Sequence, residues 1–202
     1  TAAYAYNLLK DKSYKTVIVI SPSHAEYFPG ISIYDGDAYE TPLGIVEIDQ
    51  VMTDKLVENS KTIFRSIQGH RREHALEVQI PFLQSVLRDF KIVPVVMGDQ
   101  SKMFVDELAE KISKVVDDET LIVASSDMSH FYSSEEADRL DSIVEKRIND
   151  FDFEKLLQDL DDHECEACGG GPIAVMMKAA SIKNINKSFI LNRSDSGDVT
   201  GD

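Results

Sequence analysis

The 202-residue sequence predicts an α/β domain built around a mainly parallel or mixed central sheet. Short β-branched apolar runs recur along the chain, separated by stretches whose apolar residues fall at helical spacing. The length suits one sizeable domain, which buries roughly 70% of the surface its unfolded chain exposes. Composition is globular: 43% apolar and 28% charged residues, with only 10 Gly and 6 Pro, exclude a disordered or collagen-like chain. No repeat, low-complexity segment or linker divides the sequence, so residues 1–202 are read as one domain.

Residues 1–10 have the pattern of an amphipathic helix. Thr16 to Ile20 is a β-branched run ending at Ser21-Pro22, which predicts a buried strand. Gly30 to Glu47 mixes Gly, Asp, Pro and Tyr and reads as a long loop containing a hairpin. Val51 to Ser60 reads as a helix started by Asp49 or Thr53. Glu73 to Phe90 has helical spacing, with a bend or boundary at Pro81. Ile92 to Met97 is a second strand, Met103 to Val116 a helix, and Leu121 to Ala124 a third strand. Ser134 to Leu160 is helical with a break at Asp150, Pro172 to Lys183 is helical, and Ser188 to Leu191 is a fourth strand. The tail from Ser194 to Asp202 is turn-like and acidic.

The net charge is −15, from 21 basic and 36 acidic residues. Such a field repels phosphate backbones and anionic lipid heads, which argues against nucleic-acid and membrane-surface partners. No apolar run approaches the ~20 residues needed to span a bilayer. Two cysteines are too few for a disulfide framework, which points to a reducing, cytoplasmic setting.

Ligands in open α/β sheets bind beyond the carboxyl ends of the strands. Ser23-His24 follows the first run, and Ser125-Ser126-Asp127-Met128-Ser129-His130 follows the third. Two strands thus deliver a His to one edge, and one delivers an Asp as well. Histidine is the commonest metal ligand and the usual acid/base near neutral pH. Cys168 precedes Gly169-Gly170-Gly171-Pro172, a helix start that favours a thiolate. Cys165 and Cys168 also form a C-x-x-C, but the preceding residues make a poor strand and four nearby carboxylates disfavour a redox thiolate. His70-Arg71-Arg72-Glu73-His74 matches H-x-x-E-H, the inverted zinc-peptidase pattern, which requires both imidazoles on one helical face. No G-x-S-x-G, G-x-G-x-x-G or Walker A pattern occurs.

Six segments in order resemble the Memo family, known in prokaryotes as AmmeMemoRadiSam system protein B. They are Ser21 to His24, Tyr39 to Gly44, Glu73 to Leu83, Ser125 to His130, Ala167 to Ile173, and Ser196 to Asp202. The resemblance implies a three-layer α/β fold similar to class III (LigB-type) non-haem iron extradiol dioxygenases. In those enzymes two His and a carboxylate hold ferrous iron, and a further His serves as acid/base. In the Memo family a Cys replaces the carboxylate. Carried over, His24 and Cys168 are metal ligands, His130 with Asp127 is the acid/base pair, and Glu73, His74 and Glu77 line the cleft. The family's other metal His lies in a P-H-A-G-Y segment that would precede Thr1, and a closing strand would follow Asp202. The implied cofactor is Fe(II), with Cu or Zn as alternatives.

Three functions follow as expectations. The first is a metal-dependent oxidoreductase, dioxygenase-like, acting on a small molecule or peptide. The second is a non-catalytic adaptor using the same cleft, with AMMECR-type and radical-SAM proteins as pathway partners. The third is a zinc peptidase through His70, Glu73 and His74.

Overall fold

A computed structural model describes residues 2–195 and Gly197. Its strands are β1 (Thr16–Pro22), β2 (Ile31–Tyr34), β3 (Ala38–Thr41), β4 (Gly44–Glu47), β5 (Ile63–Ser66), β6 (Lys91–Met97) and β7 (Thr120–Ala124). Its helices are α1 (Ala2–Asn7), α2 (Gln50–Val57), α3 (Gln79–Val86), α4 (Lys102–Val115), α5 (Ser134–Asn149), α6 (Phe153–Asp161) and α7 (Gly170–Ile182). Five strands form a mixed sheet in the order β5-β2-β6-β1-β7, while β3 and β4 form a separate antiparallel hairpin.

The three apolar runs read from the sequence are the parallel centre of this sheet: β1 pairs with β6 on one side and β7 on the other. Their alternate residues divide the core into two faces. Ile18, Ile20, Val93 and Val95 pack with Met52 and Leu56 of α2, Leu108 and Ile112 of α4, and Val175 and Ala179 of α7. Val17, Val19, Ile92 and Val96 pack on the other face with Tyr6 of α1, Ile80 and Leu83 of α3, and Val46 of the hairpin. The result is three layers. Each buried aliphatic side chain contributes roughly 1.5–3 kcal/mol, so this two-faced core is the main source of stability.

β2 runs antiparallel to β6 and parallel to β5. Pro94 explains how a proline is tolerated in a central strand. The Ile92 carbonyl accepts the Asp49 N–H on the β2 side of β6, so the Pro94 nitrogen, two residues on, faces that same side. The β2 ladder covers only Val95 to Met97, leaving Pro94 in a gap where no donor is needed.

Three sequence expectations are corrected. Ser188 to Leu191 is not a strand: β7 is the sheet edge and the segment lies along α5 instead, Ser188 Oγ donating to the Ile148 carbonyl. The helix expected over 73–90 shrinks to α3, and Pro81 is its third residue, where the first-turn N–H is unpaired in any case. The 30–47 segment holds β2 as well as the hairpin, and β5 was not foreseen because its Arg65 and Ser66 break the apolar run. The break at Asp150 is present, with Asp152 capping α6 through the Lys155 N–H. Asp49 caps α2. Of the acidic tail, Ser196 and residues 198–202 lie outside the described residues. No helix among the described residues is long and apolar enough to cross a membrane.

Candidate functional site

Because β1, β6 and β7 are parallel, their carboxyl ends share one edge, and the loops that follow them meet there. A cleft of about 510 Å³ at this edge is lined by His24, Gln79, Ser125, Ser126, Asp127 and Cys168, with apolar walls from Leu9, Val78, Leu121 and Met176. A second cavity of about 530 Å³ shares Cys168 and adds Gln100, His130, His163 and Cys165. Cys168 therefore stands between two open volumes.

His24 is fixed by Glu73. One carboxylate oxygen accepts the His24 backbone N–H at 2.6 Å. The other lies 3.0 Å from Nδ1 of the imidazole and accepts the Ala75 N–H at 2.9 Å. The Glu73 side chain is only 3% exposed. Burial alone would raise its carboxyl, but the two backbone N–H groups and the imidazole outweigh that and hold it below the usual carboxylate value.

Reaching His24 takes a detour. β5 runs away from the site edge, so residues 67–72 must come back across the sheet before Glu73 can arrive. Gly69 makes the crossing close. Its φ is +78°, and a Cβ there would lie 2.7 Å from the Phe28 ring and 3.0 Å from Val96. Its N–H donates to Glu26.

Cys168 sits in the turn before α7. Its Sγ accepts the Asp127 N–H at 3.1 Å, and its own N–H donates to the Asp127 carbonyl at 3.1 Å. Ser126 Oγ accepts the Gly169 N–H, and Gln100 grips both sides of the turn, donating to the Cys168 carbonyl and accepting the Gly171 N–H. Gly169 is required at this approach, since a Cβ would fall 2.1 Å from the Ser125 carbonyl oxygen. Cys165 is buried in a small cluster with Val144 and Leu156, and burial, reinforced by Asp159, pushes its thiol up to about 11. The two cysteines are thus chemically unequal.

His130 and Asp127 are brought together loosely, with Nε2 3.7 Å from Oδ2 and both side chains exposed. His74 and Glu77 form an exposed pair at 2.8 Å on the turn before α3, where the Glu77 carboxylate raises the imidazole. Neither lines the cleft; the late start of α3 leaves them in a turn where they meet each other.

The H-x-x-E-H segment is not helical, and its parts separate. His70 is 3.2 Å from the Tyr39 hydroxyl and 3.3 Å from the Ser32 carbonyl, and burial pushes it down to about 4. Glu73 serves His24 and His74 faces solvent, so the geometry a zinc peptidase needs is not formed. Among the described residues no three His, Cys, Asp or Glu side chains converge as a metal site.

Sequence reading gave no site role to Gln79 or Gln100, and placed Ser125 and Ser126 at the strand end without their contacts. Gln79 accepts from the Tyr6 hydroxyl and donates to Ser125 Oγ, which donates in turn to the Ala75 carbonyl. Gln100 lies three residues beyond β6, and the strand-end rule that selected His24 would have selected it too.

The sequence profile of the family described as Memo-like protein matches residues 1–202. The chain belongs to this family. A MEMO1 family protein of Thermoplasma volcanium is 37% identical over 204 residues, an alignment covering 100% of this chain and 75% of the relative. One from Methanobrevibacter smithii is 36% identical over 205 residues, covering 100% and 73%. One from Methanocaldococcus jannaschii is 33% identical over 194 residues, covering 93% and 67%. The Memo-like membership read from six motifs therefore holds along the whole chain.

Proposed function

We propose that this Memo-like protein binds a metal in the cleft beyond β1 and β7 and is an oxidoreductase acting on a small molecule or peptide there. One observation carries the reading: an imidazole and a thiol face one cleft, each already held by the protein. The donor set fits Fe(II), with Cu or Zn as alternatives, since sulfur and imidazole suit all three. His24 and Cys168 would hold the metal, and the family resemblance implies one further His ligand. When bound, the metal supplies Lewis-acid and redox chemistry.

The chain's own residues do the rest. Glu73 fixes the ring of His24, and the Asp127 N–H and the Gln100 side chain fix Cys168. His130 lines the second cavity, which Cys168 also borders, and its exposed imidazole can exchange a proton with a bound substrate there, with the Asp127 carboxylate nearby at 3.7 Å. Elemental analysis of protein purified without oxygen tests this reading. Stoichiometric metal that is lost in His24→Ala and in Cys168→Ser is expected; no stoichiometric metal in the parent protein refutes it.

A second reading, a partner-binding surface, is favoured by Phe131. Its side chain is fully exposed, and its φ is +66°. The other left-handed non-glycine residues are Asp or Asn, or they close α5 and α6, as Phe151 and His163 do. An AMMECR-type or radical-SAM protein that co-purifies with the parent and with His24→Ala, but not with Phe131→Ala, would support an adaptor. Equal co-purification with Phe131→Ala would count against it.

A further inference from the structure

Glu73, expected to line the cleft, is instead buried behind His24 and does not line it. Both of its carboxylate oxygens point at backbone donors: Oε2 takes the His24 N–H at 2.6 Å and Oε1 takes the Ala75 N–H at 2.9 Å. Oxygens engaged in this way serve as acceptors. The Nδ1 atom, 3.0 Å from Oε1, must then be the donor of that contact. The proton of a neutral imidazole sits on one nitrogen only, so a donating Nδ1 leaves Nε2 with its lone pair free. Nε2 makes no hydrogen bond among the described residues, and His24 lines the cleft that Cys168 also lines.

We infer that Glu73 is a positioning residue, which holds His24 in the Nδ1–H form and keeps Nε2 available to a metal in the cleft. The inference deepens the metal reading proposed above and rests on it for its consequence. Glu73 acts on two levels at once. Its bond to the His24 backbone fixes where the loop after β1 lies, and its bond to the ring fixes which nitrogen is offered. A buried carboxylate behind a ligating His also makes the ring a better donor, and loss of such a partner typically costs 10- to 100-fold in metal affinity. The return loop matters for the same reason: Gly69, packed against Phe28 and Val96, delivers Glu73 to its place.

Glu73→Gln separates these roles. The amide has nearly the same volume, but it presents only one oxygen to three donors. Its NH2 group would then face Nδ1, which favours the proton on Nε2 and blocks that nitrogen. The experiment is 15N NMR of the imidazole nitrogens in metal-free protein at pH 8.5, paired with Co(II) titration. The expected result is the Nδ1–H form for His24 in the parent, a shift toward Nε2–H in Glu73→Gln, and Co(II) binding weakened roughly 10- to 100-fold. Glu73→Asp, which keeps the carboxylate, should recover part of both. An Nε2–H form in the parent overturns the inference, and this measurement decides even where Glu73→Gln does not fold. A folded Glu73→Gln with unchanged ring signals and unchanged Co(II) affinity also overturns it. A parent that shows the Nδ1–H form, loses it in Glu73→Gln and yet binds no Co(II) supports the role of Glu73 and removes the metal reading.

Discussion

His24 and His130 follow adjacent strands of one sheet, yet the protein treats them in opposite ways. His24 is tied to a buried carboxylate through both its backbone and its ring. His130 meets an exposed carboxylate at 3.7 Å, beyond hydrogen-bonding distance, in a loop where Phe131 projects into solvent. A group that must hold something benefits from being fixed in advance, because the cost of ordering it is met during folding. A group that must shuttle a proton benefits from access to water and to a mobile substrate. Under the proposed function, holding falls to the arm formed by His24, Glu73 and Cys168, and exchange to the arm formed by His130 and Asp127.

The largest expected effect breaks the holding arm directly. Cys168→Ser should weaken Co(II) binding by more than ~100-fold in an isothermal titration, since a soft donor is replaced by a hard one. An affinity within threefold of the parent would show that Cys168 is not a ligand.

The next effect sharpens the contrast through pH. His70 lies within the loop that delivers Glu73, half-buried against Tyr39 and Ser32, and its value of about 4 compares with 6.5 for a free imidazole. Between those values the unfolded chain takes up a proton that the folded chain refuses, so stability is lost as pH falls through this window. The loss reaches about 3 kcal/mol near pH 4. Denaturant unfolding at pH 7 and pH 4 should show it, and His70→Gln, which can still bond Tyr39 and Ser32, should show a smaller pH dependence. Identical pH dependence in the variant would rule out His70 as its source.

Gly69→Ala comes third. The added methyl meets Phe28 and Val96 in a left-handed backbone, which should cost about 1–3 kcal/mol in unfolding free energy. It should also weaken metal binding, because the loop carries Glu73; a destabilised variant with parental Co(II) affinity would uncouple the loop from the site.

The smallest effect tests the exchange arm. His130→Ala should change Co(II) affinity by less than ~threefold, in keeping with a weak exposed pair, while abolishing any pH-dependent turnover found with a substrate. A loss of metal as large as that of Cys168→Ser would mean that the two arms act as one.

The parallel centre of the sheet was legible because Val17 to Ile20 and Ile92 to Met97 are buried between two layers, and Leu121 to Val123 half-buried at its edge, so that all three read as continuous apolar runs. The strand-end rule then pointed to His24, Asp127 and His130, which do follow β1 and β7. β5 escaped because half-buried Phe64, Arg65 and Ser66 carry no such run. Ser188 to Leu191 misled for the converse reason: strand-like residues make a strand only where a neighbour offers its edge. The role of Glu73 was out of reach, since its contact with His24 spans 49 residues and depends on the return of a loop past Phe28. The short helical pattern at 73–78 concealed it further, as those residues form a turn rather than the first part of a helix.

The gap at Pro94 has a practical side. It divides one edge of β6 between β2, running one way, and Ile48, bridging to Ile92 the other way. The stretch from Asp35 to Glu47 is therefore an excursion anchored at both ends on the same strand. Its tip at Leu43 and Gly44 is exposed, with nothing within 4 Å of a Cβ built on Gly44, and is steadied by Gln84 of α3, which donates to the Gly44 carbonyl. A reporter peptide or fluorophore grafted at that tip would stand on an exposed turn that lines neither cavity beside Cys168, a handle by which binding could be watched without touching what binds.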